Sequence, residues 1–91
     1  MTYSAISIVS IVNGRLLQKG GNSTIAHLVT DSRKVYVPET SLFFALAGAR
    51  RDGHMFVHEL YRRGLRNFVI SKPQDLAGLE EANIIRVEDT L

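Results

Sequence analysis

The apolar residues near the start of the chain are spaced as on one face of a helix. Ala5, Ile8, Val9 and Val12 fall at i, i+3, i+4 and i+7, while serines recur on another side. This pattern predicts an amphipathic helix over residues 4–12. Asn13-Gly14 should end it, because glycine accepts the left-handed conformation found at helix C-termini.

Two short β candidates follow this helix. Residues 15–18 form a predicted strand, and the turn-forming residues 20–22 come after it. Residues 25–30 alternate in the manner of a second strand, although both alternating sets are partly apolar.

A dense apolar run, LFFALA, occupies residues 42–47 and predicts an interior strand at the centre of a sheet. Further strands are predicted at residues 67–71 (NFVIS) and 84–87 (IIRV), with a loop or short helical turn over 73–82.

A helix is predicted between the LFFALA and NFVIS strands. Asp52 can cap it, Gly64 should end it, and its apolar stripe is formed by Phe56, Val57, Leu60 and Tyr61. Strand, helix and strand then form a right-handed βαβ unit with parallel strands. The fold class predicted is therefore α/β, a small mixed sheet with helices packed on it.

Composition agrees with one globular domain. The chain has 91 residues, of which 45% are hydrophobic and 22% charged, and its net charge is +2. Basic and acidic residues are interspersed except at residues 33–34 and 50–51, which disfavours nucleic-acid binding. The apolar stretch at the N-terminus is too short for membrane insertion, and the absence of cysteine fits a reducing cytoplasm.

The loop after the LFFALA strand carries the candidate chemistry. Gly48 and Gly53 allow close approach of the backbone, Arg50 or Arg51 can fork onto phosphate, and the next helix offers free N–H groups. Ser32 and Arg33 could lie beside this loop. The pattern suggests a site for a phosphorylated small molecule, although surface arginines are often merely solvated and loop glycines often serve only the turn.

No catalytic or metal site is predicted. His54 and His58 have metal-ligand spacing but lack a third ligand, so we interpret them as residues of the helix surface. Asp52 is better placed as a helix cap than as a catalytic carboxylate, and Ser32 has no recognisable triad partners. The phosphate loop G-x-x-x-x-G-K-[ST] is also absent.

The motifs TDSRKV at residues 30–35, LFFAL at 42–46, and DGH at 52–54 with Phe56 beyond it follow one another in a specific order. Together they resemble the N-terminal domain of the Mur ligases over nearly the whole chain. RRDGH, ELYRRGLRNFVIS and VPETSLFFAL look most like the members that add D-alanyl-D-alanine (MurF type), in the branch fused to an alanine racemase. The longer loop at residues 37–41 departs from the Pro-Gly turn often found in the family.

The resemblance implies a substrate and a set of contacts. The domain would bind the uridine diphosphate moiety of UDP-N-acetylmuramoyl-tripeptide, with Ser32, Ala49 and Arg50 around the uracil and ribose. Further substrate contacts are expected, from electrostatics as much as from resemblance, at Arg33, Arg51, Gly53 and His54.

The resemblance also implies a parent enzyme. Residues 1–91 would be one UDP-substrate-binding domain truncated from a multidomain cytoplasmic ligase of peptidoglycan synthesis. The segment alone would hold no cofactor and be inactive, because ATP and magnesium belong to the missing central and C-terminal domains, and pyridoxal phosphate would belong to a racemase.

Three alternatives stay open. The parent could add the third peptide residue (MurE type), or the chain could be a non-catalytic domain that binds a phosphorylated ligand or a protein. A weak RNA binder is disfavoured by the modest charge and by the lack of aromatic clusters.

Overall fold

A five-stranded mixed sheet forms the framework of the molecule. The computed structural model describes residues 2–21, 24–45, 52–72 and 74–88. The sheet strands are β2 (Arg15–Gln18), β4 (His27–Val29), β5 (Ser41–Phe44), β6 (Asn67–Ile70) and β7 (Asn83–Arg86). Their order is β2-β7-β6-β5-β4, in which β4 to β7 are parallel and β2 is antiparallel to β7.

The predicted fold class and βαβ unit are confirmed, whereas the predicted centre of the sheet is wrong. Strands β5 and β6 are parallel neighbours, as expected for a helical crossover. The central position belongs to β6, since β7 and β2 add two strands on its far side. All four residues of β6 are buried, which explains why the strand consists of one asparagine and three apolar residues, with no charged side chain.

The N-terminal helix forms as predicted but ends differently. Helix α1 spans Ala5–Ile11, and the Ser4 hydroxyl caps it by accepting a hydrogen bond from the N–H of Ser7. The left-handed residue is Asn13, at φ 55°, and not Gly14. Gly14 instead packs closely, because a Cβ there would lie 2.9 Å from Cγ2 of Ile85.

The single strand predicted over residues 25–30 is two strands. Strand β3 (Thr24–Ile25) pairs antiparallel with β1 (Tyr3–Ser4), and β4 pairs parallel with β5. Ala26 separates β3 from β4 and donates its N–H to the carbonyl of Thr40 at 2.8 Å. The strand with which the chain pairs therefore changes within three residues. The alternation of apolar and polar side chains does not predict this change.

The crossover helix begins with a 3-10 turn, Gly53–Phe56, and continues as α2, Val57–Arg62. Val57 and Leu60 are buried on its inner face, and Gly64 ends the segment in the left-handed region at φ 107°. Neither α1 nor α2, the helices within the described ranges, is long and apolar enough to cross a membrane.

Each face of the sheet carries its own hydrophobic cluster. The α2 face buries a cluster built around Phe43, Phe68 and Leu60. The α1 face buries Ile8 and Ile25 against Leu42, Val69 and Ile85. Alternate residues of the same strands supply both clusters, so the sheet couples them.

Candidate functional site

A cavity of about 230 Å³ lies where β4 and β5 approach their carboxyl ends. The four residues after β4 form one wall, and Gly53 with Phe56 forms the opposite wall. The described lining residues are Thr30, Asp31, Ser32, Arg33, Phe43, Gly53 and Phe56. Parallel sheets bind ligands at this edge, so the cavity is where the sequence predicts a site.

The wall after β4 is a 3-10 turn, Ser32–Lys34, that Asp31 organises. The Asp31 carboxylate accepts from the backbone N–H of Arg33 at 2.9 Å and from its guanidinium at 3.0 and 2.9 Å. These side-chain and backbone hydrogen bonds lower the pKa of Asp31 to about 2, and the carboxylate raises the pKa of Arg33. The Arg33 guanidinium is therefore fixed beside the turn, and two of its nitrogen atoms already donate hydrogen bonds to Asp31.

Arg63 holds the same turn from the end of α2. Its guanidinium donates to the carbonyl oxygens of Ser32 at 3.2 Å and Val35 at 2.9 Å. Arg63 is not among the substrate contacts predicted from the sequence. No local signal indicates that this side chain would cross 31 positions of sequence to reach Ser32.

The wall at Gly53 is organised by Asp52 and His54. The Asp52 carboxylate accepts from the backbone N–H of His54 at 3.0 Å and contacts ring Nδ1 at 2.6 Å. Ring Nε2 accepts from the backbone N–H groups of Ser71 at 3.0 Å and Lys72 at 3.3 Å. Since Nε2 is the acceptor, Nδ1 carries the ring proton and donates it to Asp52.

These contacts make His54 a buried, neutral residue. Burial lowers the pKa of His54, and the charge of Arg86 acts in the same direction. The interpretation of His54 as a residue of the helix surface is therefore wrong, since only 7% of it is exposed. Lys72 completes the arrangement through an ion pair with Asp52. Gly53 is thereby tied to the end of β6.

The structure brings three of the proposed substrate contacts together. Ser32, Arg33 and Gly53 line the same cavity, and His54 follows Gly53 with both ring nitrogens already bonded within the protein. The other three proposed contacts, Ala49, Arg50 and Arg51, lie outside the described residues, as does Gly48. All seven substrate contacts stay predictions.

The second histidine of the candidate metal pair is also bonded within the protein. His58 Nε2 donates a hydrogen bond to the carbonyl oxygen of Ala77 at 3.2 Å. In the described parts of the chain, no three histidine, aspartate or glutamate side chains are grouped so that they could hold a metal ion.

Comparisons with known proteins converge on one family. No family model matches the chain. It is 38% identical over 68 residues to the UDP-N-acetylmuramoyl-L-alanyl-D-glutamate--2,6-diaminopimelate ligase of Geobacillus kaustophilus (strain HTA426), covering 75% of this chain and 14% of the ligase. The enzyme of the same name from Alkaliphilus metalliredigens (strain QYMF) is 35% identical over 66 residues, covering 72% of this chain and 13% of that enzyme.

A solved structure agrees over almost the whole chain. The crystal structure of MurF from Acinetobacter baumannii superposes with a TM-score of 0.80 and 25% identity, covering 99% of this chain and 19% of that chain. The chain thus spans less than a fifth of the length of each of these proteins.

Proposed function

Because the chain belongs to the Mur ligase family and has the fold of its N-terminal domain, we propose that it holds the uridine diphosphate end of UDP-N-acetylmuramoyl-tripeptide. The parent would be a multidomain ligase of peptidoglycan synthesis that carries this segment as its first domain. Its reaction would use ATP and magnesium bound by the other domains, in the cytoplasm.

The cavity between the Ser32 turn and Gly53 is the observation that carries this proposal. It combines an apolar floor at Phe43 and Phe56 with polar groups on both sides. At about 230 Å³ it is smaller than the pockets of about 300–1,000 Å³ that enclose whole drug-sized ligands. It therefore suits one part of a long substrate, such as a pyrimidine nucleoside.

The role of such a domain is to position the substrate. In the parent, ATP would phosphorylate the peptide carboxylate, and an incoming amine would displace the phosphate. Binding energy gained at the remote nucleotide end fixes the position of that carboxylate without taking part in the chemistry. We expect the 91-residue chain to bind without turnover.

An NMR titration of the 91-residue chain tests the proposal. UDP and UDP-N-acetylmuramoyl-peptide should shift the backbone signals of Ser32, Arg33 and Gly53, whereas ADP should leave them in place. Replacing Ser32→Ala should weaken UDP binding about fivefold, the value of one hydrogen bond. The matched control Ser10→Ala, on the exposed side of α1, should bind UDP with the same affinity as the unsubstituted 91-residue chain.

Equal shifts with UDP and ADP would contradict a uridine site. They would favour the alternative of a general phospholigand domain. If the chain binds none of the nucleotides but binds a protein partner, the alternative of a non-catalytic protein-interaction domain would be favoured instead.

The structural comparison and the sequence comparison favour different peptide bonds as the one that the parent enzyme makes. The solved structure that covers this chain is named MurF, and the fold and the quoted motifs lead us to propose addition of D-alanyl-D-alanine. The sequence relatives are named 2,6-diaminopimelate ligases, which favours addition of the third residue as the second candidate. Acceptor-dependent formation of ADP and phosphate by the multidomain protein decides between them. One assay supplies UDP-N-acetylmuramoyl-L-alanyl-D-glutamate with diaminopimelate or lysine, and the other supplies UDP-N-acetylmuramoyl-tripeptide with D-alanyl-D-alanine.

The fused alanine racemase, with its pyridoxal phosphate, stays a prediction. Racemisation of alanine by the same multidomain protein would test it.

A further inference from the structure

Two arginines face each other at one end of the antiparallel pair β2–β7. Arg15 and Arg86 are direct partners in the register, and both line a cavity of about 330 Å³. Asn13, Gly14, Val87 and Glu88 complete the described lining. This cavity shares no described lining residue with the cavity at Ser32.

The charges of this pair are unbalanced in the described structure. Like charges directly opposite each other in an antiparallel sheet destabilise it. Within residues 2–21, 24–45, 52–72 and 74–88, neither guanidinium forms a hydrogen bond or an ion pair, whereas Arg33 is paired with Asp31. Glu88 lines the same cavity without reaching salt-bridge distance of either arginine.

The turn that carries Arg15 is held in place by packing. Asn13 adopts a left-handed backbone, and the N–H of Gly14 donates to the carbonyl of Val9 at 2.9 Å. A Cβ on Gly14 would lie 3.0 Å from the Arg86 carbonyl oxygen and from Cγ1 of Val87. This close fit fixes the backbone of Arg15 beside that of Arg86 before any ligand arrives, which lowers the cost of binding.

The position in the sheet also favours a ligand. Arg86 is the last residue of β7, so it lies at the same carboxyl edge as the turn after β4. Three strand intervals separate β7 from β4, which is about 14 Å at the usual strand spacing. The arginine pair is therefore separate from the Ser32 wall of the first cavity, whereas the charge of Arg86 still acts on His54, which follows Gly53 in the other wall.

We propose that Arg15 and Arg86 form an anion site for the phosphate or diphosphate group of a small molecule. Two planar guanidinium groups on neighbouring strands can each donate a pair of hydrogen bonds to phosphate oxygens. Glu88 opposes the anion and limits its affinity. The site does not depend on recognition of uracil at Ser32.

Titration of the full 91-residue chain with inorganic pyrophosphate tests the site, with sodium chloride at matched ionic strength as the reference. NMR signals of the Arg15 and Arg86 side-chain Nε–H groups should shift and saturate. Arg86→Gln and Arg15→Gln should each weaken pyrophosphate binding about tenfold, the value of one charge-assisted contact. Arg62→Gln, an exposed position on α2, is the matched control and should change nothing.

Glu88 supplies a test of opposite sign. Glu88→Gln should tighten pyrophosphate binding several-fold, because it removes the one carboxylate among the described lining residues. If the Arg86→Gln variant does not fold, the test is made with Arg15→Gln alone, since Arg15 lies on the exposed edge strand β2. The proposal is overturned if pyrophosphate acts no differently from chloride, or if Arg62→Gln weakens binding as much as Arg15→Gln does.

A competition experiment identifies the source of the phosphate. If UDP displaces pyrophosphate from the two arginines, the diphosphate belongs to the nucleotide that occupies the Ser32 cavity. If pyrophosphate still binds to a chain saturated with UDP, the site serves a second phosphorylated molecule.

Discussion

At the scale of single residues, His54 links the Gly53 wall of the candidate site to the end of β6. One ring nitrogen donates to the cap of the Gly53 turn, and the other accepts two N–H groups at the end of β6. A protonated ring could keep the first contact but not the second, because Nε2 would become a donor facing two donors.

This arrangement predicts a loss of stability in mild acid. The pKa of His54 is lowered in the folded state, so the unfolded chain takes up the proton first, near the ordinary value of about 6.5. The stability linked to His54 is complete above that pH and is lost as the pH falls below it. Urea unfolding between about pH 7.5 and about pH 5.5 should show this slope.

Variants separate His54 from the other titrating groups. His54→Gln should be less stable at neutral pH but should lose the slope, whereas His27→Gln, at an exposed position of β4, should keep it. An unchanged slope in His54→Gln would contradict the assignment.

Two adjacent glycines offer a second prediction at this scale. A Cβ on Gly20 would overlap the backbone carbonyl of Glu81, whereas a Cβ on Gly21 would meet nothing within 4 Å. Gly20→Ala should therefore cost about 2 kcal/mol or more in the free energy of unfolding, and Gly21→Ala should change it by less than about 0.5 kcal/mol. Chemical denaturation measures both variants, and equal costs would rule out close packing at Gly20.

At the scale of elements, the candidate site depends on contacts between segments that are distant in sequence. Arg63, at the end of α2, holds the Ser32–Lys34 turn through two backbone carbonyls. Asp52 and His54 hold the start of the crossover helix against the end of β6. Both walls of the cavity are therefore positioned by α2 and its first turn.

Removing the Arg63 contacts should loosen the first wall. Arg63→Ala should weaken UDP binding several-fold, although Arg63 is not among the residues that line the cavity. Titration calorimetry measures the affinity, with Arg62→Ala as the neighbouring exposed control. Increased amide exchange at residues 32–35 should accompany the loss, and its absence would exclude a positioning role.

At the scale of the whole molecule, one sheet supplies both hydrophobic clusters. Phe68 lies in the cluster on the α2 face, and its neighbour Val69 lies in the cluster on the α1 face. A chain of 91 residues has a net stability of only about 5–14 kcal/mol, so neither face can lose much packing alone.

Phe68→Ala should therefore cost about 3–5 kcal/mol and leave a single unfolding transition. Far-UV circular dichroism and the NMR methyl signals of Ile8, on the opposite face, should report the same midpoint. The control Tyr36→Ala replaces a side chain that is 82% exposed and should change stability by less than about 0.5 kcal/mol. Separate midpoints would show that the two clusters unfold independently.

The sequence by itself determined the elements whose signals are local. The spacing of Ala5, Ile8 and Val9 predicts α1. The apolar run at residues 42–47 predicts a buried strand, and the structure describes β5 over Ser41–Phe44. The order of motifs around TDSRKV and DGH indicated the family. Ser32 and Gly53, which the sequence predicts as substrate contacts, line one cavity, and their binding role stays a prediction.

Only the tertiary structure decided what depends on pairing between distant segments. It placed β6 at the centre of the sheet, divided residues 25–30 between two sheets, and buried His54 against Ser71 and Lys72. It also set Arg15 opposite Arg86 across 71 positions of sequence. The physical reason is that a strand's partner and a side chain's burial depend on the rest of the sheet, which local periodicity does not report.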